Sequence, residues 1–102
     1  MRRATFLAAV RADFRGIAGY IAEASGSVDA GIGFATRLRA KCHELAANET
    51  AMGRSRPELG RGIRSYPFGN YMIFFRYAED RFEVIRIIER HRDISTLARG
   101  ED

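Results

Sequence analysis

Arginine is the side chain through which this sequence has most scope for chemistry. Of the 17 basic residues, 16 are arginines and only Lys41 is a lysine. Arg64, Arg76 and Arg86 sit inside apolar, strand-like runs, and Arg92 follows the last of them. A planar guanidinium makes bidentate contacts to phosphate or carboxylate. A sheet face carrying Arg64, Arg76 and Arg86 would therefore hold an acidic or phosphate-bearing ligand. Exposed Phe74 or Phe82 beside them would add the apolar contact that marks an interface. The competing reading is plain: arginines on a solvated face keep strand edges soluble, and a GC-rich coding sequence raises arginine everywhere.

Other reactive groups are few. His91 has the intrinsic acidity of a general acid near neutral pH, but a histidine at a strand end is more often a surface residue. No base or nucleophile falls beside it by spacing, so His91 and Arg92 are only weak catalytic candidates. Cys42 is the single cysteine, which excludes a disulfide framework and a cysteine-based zinc site within one chain. On a helix it reads as a small buried apolar side chain. Its neighbour His43 points about 100° away, so the two make no dyad. The sequence holds no metal box, phosphate loop or nucleophile elbow, and no cofactor or metal is expected.

The elements that must position these groups fit one domain over residues 1–102. Apolar residues make up 46% of the chain, enough for a modest core and against disorder. No apolar run approaches the roughly 18 residues of a membrane span, and the charged N-terminus is not a signal peptide. A cytoplasmic location is expected, with no membrane contact. The net charge of +4 favours an acidic partner, either nucleic acid or an acidic protein segment.

Residues 3–7 are a possible short edge strand. Val10, Phe14, Ile17, Ala18 and Ile21 then recur at helical spacing, and Gly26 stops that helix. Ser27 caps a second helix, with Asp29 complementing its dipole and Phe34, Leu38, Cys42 and Leu45 as its apolar stripe. Gly31 and Gly33 weaken its first turns but allow close helix contact. The short link makes the two helices an antiparallel hairpin. Residues 48–62 are irregular. Three strands follow at 62–66, 71–77 and 82–90, joined by turns short enough to demand antiparallel pairing. A short terminal helix is expected from Asp93 to Ala98. The fold class is α+β: a helix hairpin on one face of a small antiparallel sheet.

Strict alternation puts Tyr71, Ile73, Phe75 and Tyr77 on one sheet face and Met72, Phe74 and Arg76 on the other. In the last strand it groups Phe82, Val84, Arg86 and Ile88 opposite Glu83, Ile85, Ile87 and Glu89. Arg76 and Arg86 cannot enter a dry core unpaired. They mark the open face, or a buried ion pair with a carboxylate such as Glu44.

The segments ADFRGIAGYIAE (12–23), MGRSRPELGRGIRSYPFGNYMIFFR (52–76) and EVIRIIERHRDI (83–94) resemble the ParE-like branch of the RelE/ParE toxins of type II toxin–antitoxin pairs. The resemblance covers nearly the whole chain, and RPELG (56–60) and FGNY (68–71) are its most specific parts. It implies a cognate ParD-like antitoxin whose C-terminal segment wraps the helix hairpin and sheet. It also implies DNA gyrase as the target, inhibited by binding. Nucleic acid would then be met only through antitoxin or target. Arg64, Arg76, Arg86, Arg92, Phe74 and Phe82 are the expected target- or antitoxin-binding residues.

RelE-type members instead cut messenger RNA in the ribosome, using basic side chains on the sheet and a C-terminal tyrosine or histidine. Arg92 matches their strand-end arginine. Met72, Ala98, Ile63 and Ser65 fall where the other members of that set belong. RNA scission needs a base, an acid and charge stabilisation together, so the resemblance favours a gyrase-binding toxin. The alternatives are a ribosome-dependent ribonuclease and a degenerate member that only binds antitoxin. The pattern departs from the ParE-like one at Leu7, which cannot cap a helix, and at Glu89, where a histidine is common and His91 comes two residues later.

Overall fold

A computed structural model of the chain describes residues 2–91. The order of elements is β1 (Arg3–Phe6), α1 (Ala8–Ser25), α2 (Val28–Ala47), β2 (Arg54–Ser55), a 3-10 turn (Pro57–Leu59), β3 (Arg64–Phe68), β4 (Tyr71–Tyr77) and β5 (Arg81–Glu89). The expected terminal helix at 93–98 lies outside the described residues.

The helix boundaries follow from local chemistry. Leu7 precedes α1 with an extended backbone and no side-chain cap, and its carbonyl accepts from Val10 and Arg11 instead. Gly26 closes α1 at φ 73°, a left-handed turn that glycine adopts without strain. The Ser27 hydroxyl then accepts from the Ala30 amide at 3.1 Å and starts α2. The helices touch closely at Gly31, where a Cβ would collide with the Ala18 carbonyl oxygen. Gly33 has no such neighbour; only the Arg37 side chain is near.

The sheet has five strands in the order β1-β5-β4-β3-β2. It is mixed rather than purely antiparallel, because β1 lies parallel to β5 with Arg3 opposite Arg81. The segment expected to be irregular contributes β2, a two-residue edge strand pairing with Arg64 and Ser65. β3 runs two residues later than expected and takes in Pro67. Pro67 has no N–H to give, and β2 does not extend alongside it, so the missing donor falls on an unpaired edge. Gly69, at φ 59°, fills the first position of the two-residue turn to β4, as a primed type II turn requires.

A β-bulge divides β5. Phe74 pairs with Arg86, but Phe75 pairs with Val84, so Ile85 is the extra residue. The bulge reverses the alternation. Phe82 and Val84 join Ile87 in the core with Val10, Phe14, Leu38, Cys42, Ile73 and Phe75. The grouping of Phe82 and Val84 with Ile88 is therefore incorrect. Ile88 packs on the opposite face with Phe74 and Leu59, flanked by Ile63 and Met72.

Candidate docking surfaces

The three sheet arginines do not share a face. Arg64 stands opposite Phe75, on the helix-covered side. Its Nε donates to the Met52 carbonyl at 2.8 Å and its Nη2 to that of Gly53 at 2.9 Å. It ties the segment after α2 to the sheet. Gly53 suits that close approach, since a Cβ there would lie 2.5 Å from the Ser65 carbonyl oxygen. Arg76 is the one that stands on the outer face, half exposed and paired with Glu83 at 2.9 Å.

Arg86 turns to α1. Its Nε and Nη2 donate to the two carboxylate oxygens of Asp13 at 2.9 and 3.2 Å, and the Ile87 amide donates to Asp13 Oδ2 at 2.9 Å. The carboxylate thus holds the bulge and the arginine that the bulge displaces. The expected carboxylate Glu44 pairs with Lys41 instead. Asp13 had a sequence signal. It falls three residues after Val10 and four before Ile17, within the apolar stripe, where an unpaired charge would be costly.

The two aromatics expected to be exposed are buried. Phe82 is enclosed in the main core, because the bulge turns it inward. Phe74 does face outward, but the loop before β3 covers it. Within that loop Arg56 donates to Glu58 Oε2 at 2.7 Å and to Ser65 Oγ at 3.2 Å, with its guanidinium over the Phe74 ring. Pro57 opens the 3-10 turn and Leu59 drops onto Phe74 and Ile88. Gly60 ends the turn at φ 142°, a region that favours glycine. RPELG is thus a clasp over the outer face.

His91 is exposed in the turn after β5 and makes no hydrogen bond or ion pair among the described residues. Arg92 and Ala98 lie outside those residues. Cys42 is fully enclosed, and burial pushes its thiol up to about 12. The thiolate that nucleophilic chemistry needs is strongly disfavoured there. Among the described residues no three His, Cys, Asp or Glu side chains gather as metal ligands.

The helix hairpin carries a surface groove of about 300 Å³ between α1 and α2. Phe14, Ala18, Ile32 and Ala35 line it, and Arg15 and Arg39 flank it. The Arg39 guanidinium carbon lies over the Phe14 ring, 4.4 Å from its centroid and within cation–π range. Ile32 is 56% exposed and extends the apolar lining of the groove.

Residues 5–94 match the family model described as the ParE toxin of the type II toxin–antitoxin system, parDE. The chain belongs to the ParE toxin family. Its fold is similar to that of a solved chain of the chromosomal ParDE toxin–antitoxin system from P. aeruginosa, at a TM-score of 0.73 and 16% identity. The likeness covers 87% of this chain and 96% of the other. No curated protein matches the sequence. The resemblance to ParE toxins is thereby upheld, and so is the α+β architecture. Among the described residues no helix is long and apolar enough to cross a membrane.

Proposed function

We propose that this ParE family member is a cytoplasmic toxin that inhibits DNA gyrase by binding, and that a ParD-like antitoxin neutralises it. One observation carries the choice of binding over RNA scission. Met72 and Ile63 stand where RelE-type enzymes place basic side chains, and both pack into the outer apolar cluster with Leu59, Phe74 and Ile88. Ser65, at the third such position, is buried and holds the Arg56 clasp. These positions are committed to closing the sheet, whereas scission needs an acid and a base free to meet a substrate.

The hairpin groove suits the antitoxin. An apolar trough with an arginine on each side fits an amphipathic segment whose apolar residues face inward and whose acids meet Arg15 and Arg39. Induction of the toxin without antitoxin is the test. Filamentation, an SOS response and DNA breaks are expected. Translation arrest with cut messages would favour the ribonuclease reading, and unaffected growth would leave only a toxin that has lost its activity.

A further inference from the structure

The outer sheet face carries a strip of arginine whose membership the bulge decides. Because Phe82 and Val84 point inward, Arg81 and Glu83 point outward. Register then places Arg3 beside Arg81, Arg76 beside Glu83, and Arg54 beside the outward Ser65. Arg56 reaches the same face from the clasp. Five arginines thus stand there against Glu83 and Glu58. Glu83 is shared by Arg76 and Arg81 at 2.9 and 3.1 Å, and Glu58 is held by Arg56. Arg3 and Arg54 are exposed and make no ion pair among the described residues.

The strip runs from β1 to β2, across the strands rather than along one. Four strand spacings of about 4.8 Å make it roughly 19 Å wide. The outward apolar side chains Phe74 and Ile88 are already covered by the clasp, so the strip offers charge without an apolar anchor. The acids of the β4–β5 turn, Glu79 and Asp80, line a hollow with Ala47 and Asn48 at the end of α2.

We infer that this face docks the phosphate backbone of duplex DNA, so that the toxin touches nucleic acid directly. Duplex DNA presents about one charge per 1.7 Å of axis, which suits a broad strip of five arginines offset by only two glutamates better than a groove does. An acidic protein segment would need apolar contacts to be held, and the molecule keeps those on the opposite side, in the hairpin groove. The contact is sequence-independent, since nothing on this face reads bases.

The test is fluorescence anisotropy of a labelled 30-base-pair duplex of arbitrary sequence with the full-length toxin, free of antitoxin, over a salt series. Arg54→Gln/Arg81→Gln is expected to weaken binding about tenfold at moderate salt and to lower the log–log salt slope by about 2. Arg11→Gln/Arg37→Gln removes the same charge from the exposed helix side and should change affinity less than twofold. Glu83→Gln frees Arg76 and Arg81 and should tighten binding two- to fivefold, a gain that misfolding cannot produce. Equal losses from the two double variants would reduce the effect to net charge and overturn the inference. Competition by a 15-residue poly-glutamate peptide at equal charge concentration would also overturn it, in favour of an acidic protein. Gyrase inhibition is judged separately by the induction phenotype, so either conclusion can fail alone.

Discussion

On the inner face of the sheet, Ile73, Phe75, Phe82, Val84 and Ile87 meet two long helices. On the outer face, Phe74 and Ile88 meet one leucine from a three-residue 3-10 turn. Both faces exclude water, by different means. The inner face relies on many apolar contacts, its buried residues coming from α1, α2, β4 and β5. The outer face relies on Leu59, placed by the Arg56–Glu58 pair and by two breaks, Pro57 and Gly60, with only Ile63 and Met72 packed beside it. The rest of the outer face can therefore stay charged. Robust burial is confined to the side that makes the fold, and arginines occupy the side left open.

Truncation on each face probes that contrast. Phe82→Ala should cost about 3–5 kcal/mol in urea or guanidinium unfolding, since the ring is fully enclosed and stacks on Phe75 at 4.6 Å. Leu59→Ala should cost about 2 kcal/mol, because a short surface clasp can settle into the space left behind. Equal losses would mean that the clasp belongs to the main core, and the contrast between the faces would fail.

Asp13 joins the two regions. Asp13→Ala removes the acceptor for Arg86 and for the Ile87 amide, and should cost about 3 kcal/mol. Asp13→Asn keeps an amide oxygen for Ile87 and should cost about half as much. Amide exchange at Ile87 and Ile88 is the more specific readout. If it is unchanged in Asp13→Ala, the carboxylate does not hold the bulge.

Much of the inner face was readable in the sequence. The helical stripes, the Gly26 stop, the Ser27 cap and the limits of β4 all follow from local chemistry, where one residue type serves one geometry. The outer face was read less well, for a physical reason. A bulge in an apolar run leaves no mark on composition, yet it reverses every later side chain. Strict alternation from Ile88 back to Phe82 assigned Phe82 to the wrong face and hid Arg81. Arg64, Arg76 and Arg86 looked equivalent as mid-strand charges, but strand register and the reach of Asp13 separate them. RPELG stood out as a family marker, and only the packing of Leu59 on Phe74 shows that it closes a face.

Leu7→Ser supplies the cap that α1 lacks and should stabilise the protein by about 1 kcal/mol. Leu7 is 49% exposed, so little packing is lost with it. A loss of stability would mean that the backbone acceptance by Leu7 already suffices, or that its side chain is held more firmly than its exposure indicates.

The smallest effect belongs to the outer ion pair. Hydrogen bonding to Arg76, reinforced by Arg81, holds the Glu83 carboxyl below its ordinary range. Such a pair stabilises the fold above the ordinary carboxylate pKa, where Glu83 is charged in both folded and unfolded chains. The contribution fades as pH falls through the lowered folded value, where the folded carboxylate also takes up its proton. Water screens the exposed Arg76 and Arg81, so the pair contributes only about a few tenths of a kcal/mol. Glu83→Gln should therefore be slightly less stable than the parent at pH 7, and the gap should close in acid. A gap above about 1 kcal/mol would mean that the outer face is stabilised by its charges. Arginines that the fold needs in this way would be less free to meet a ligand.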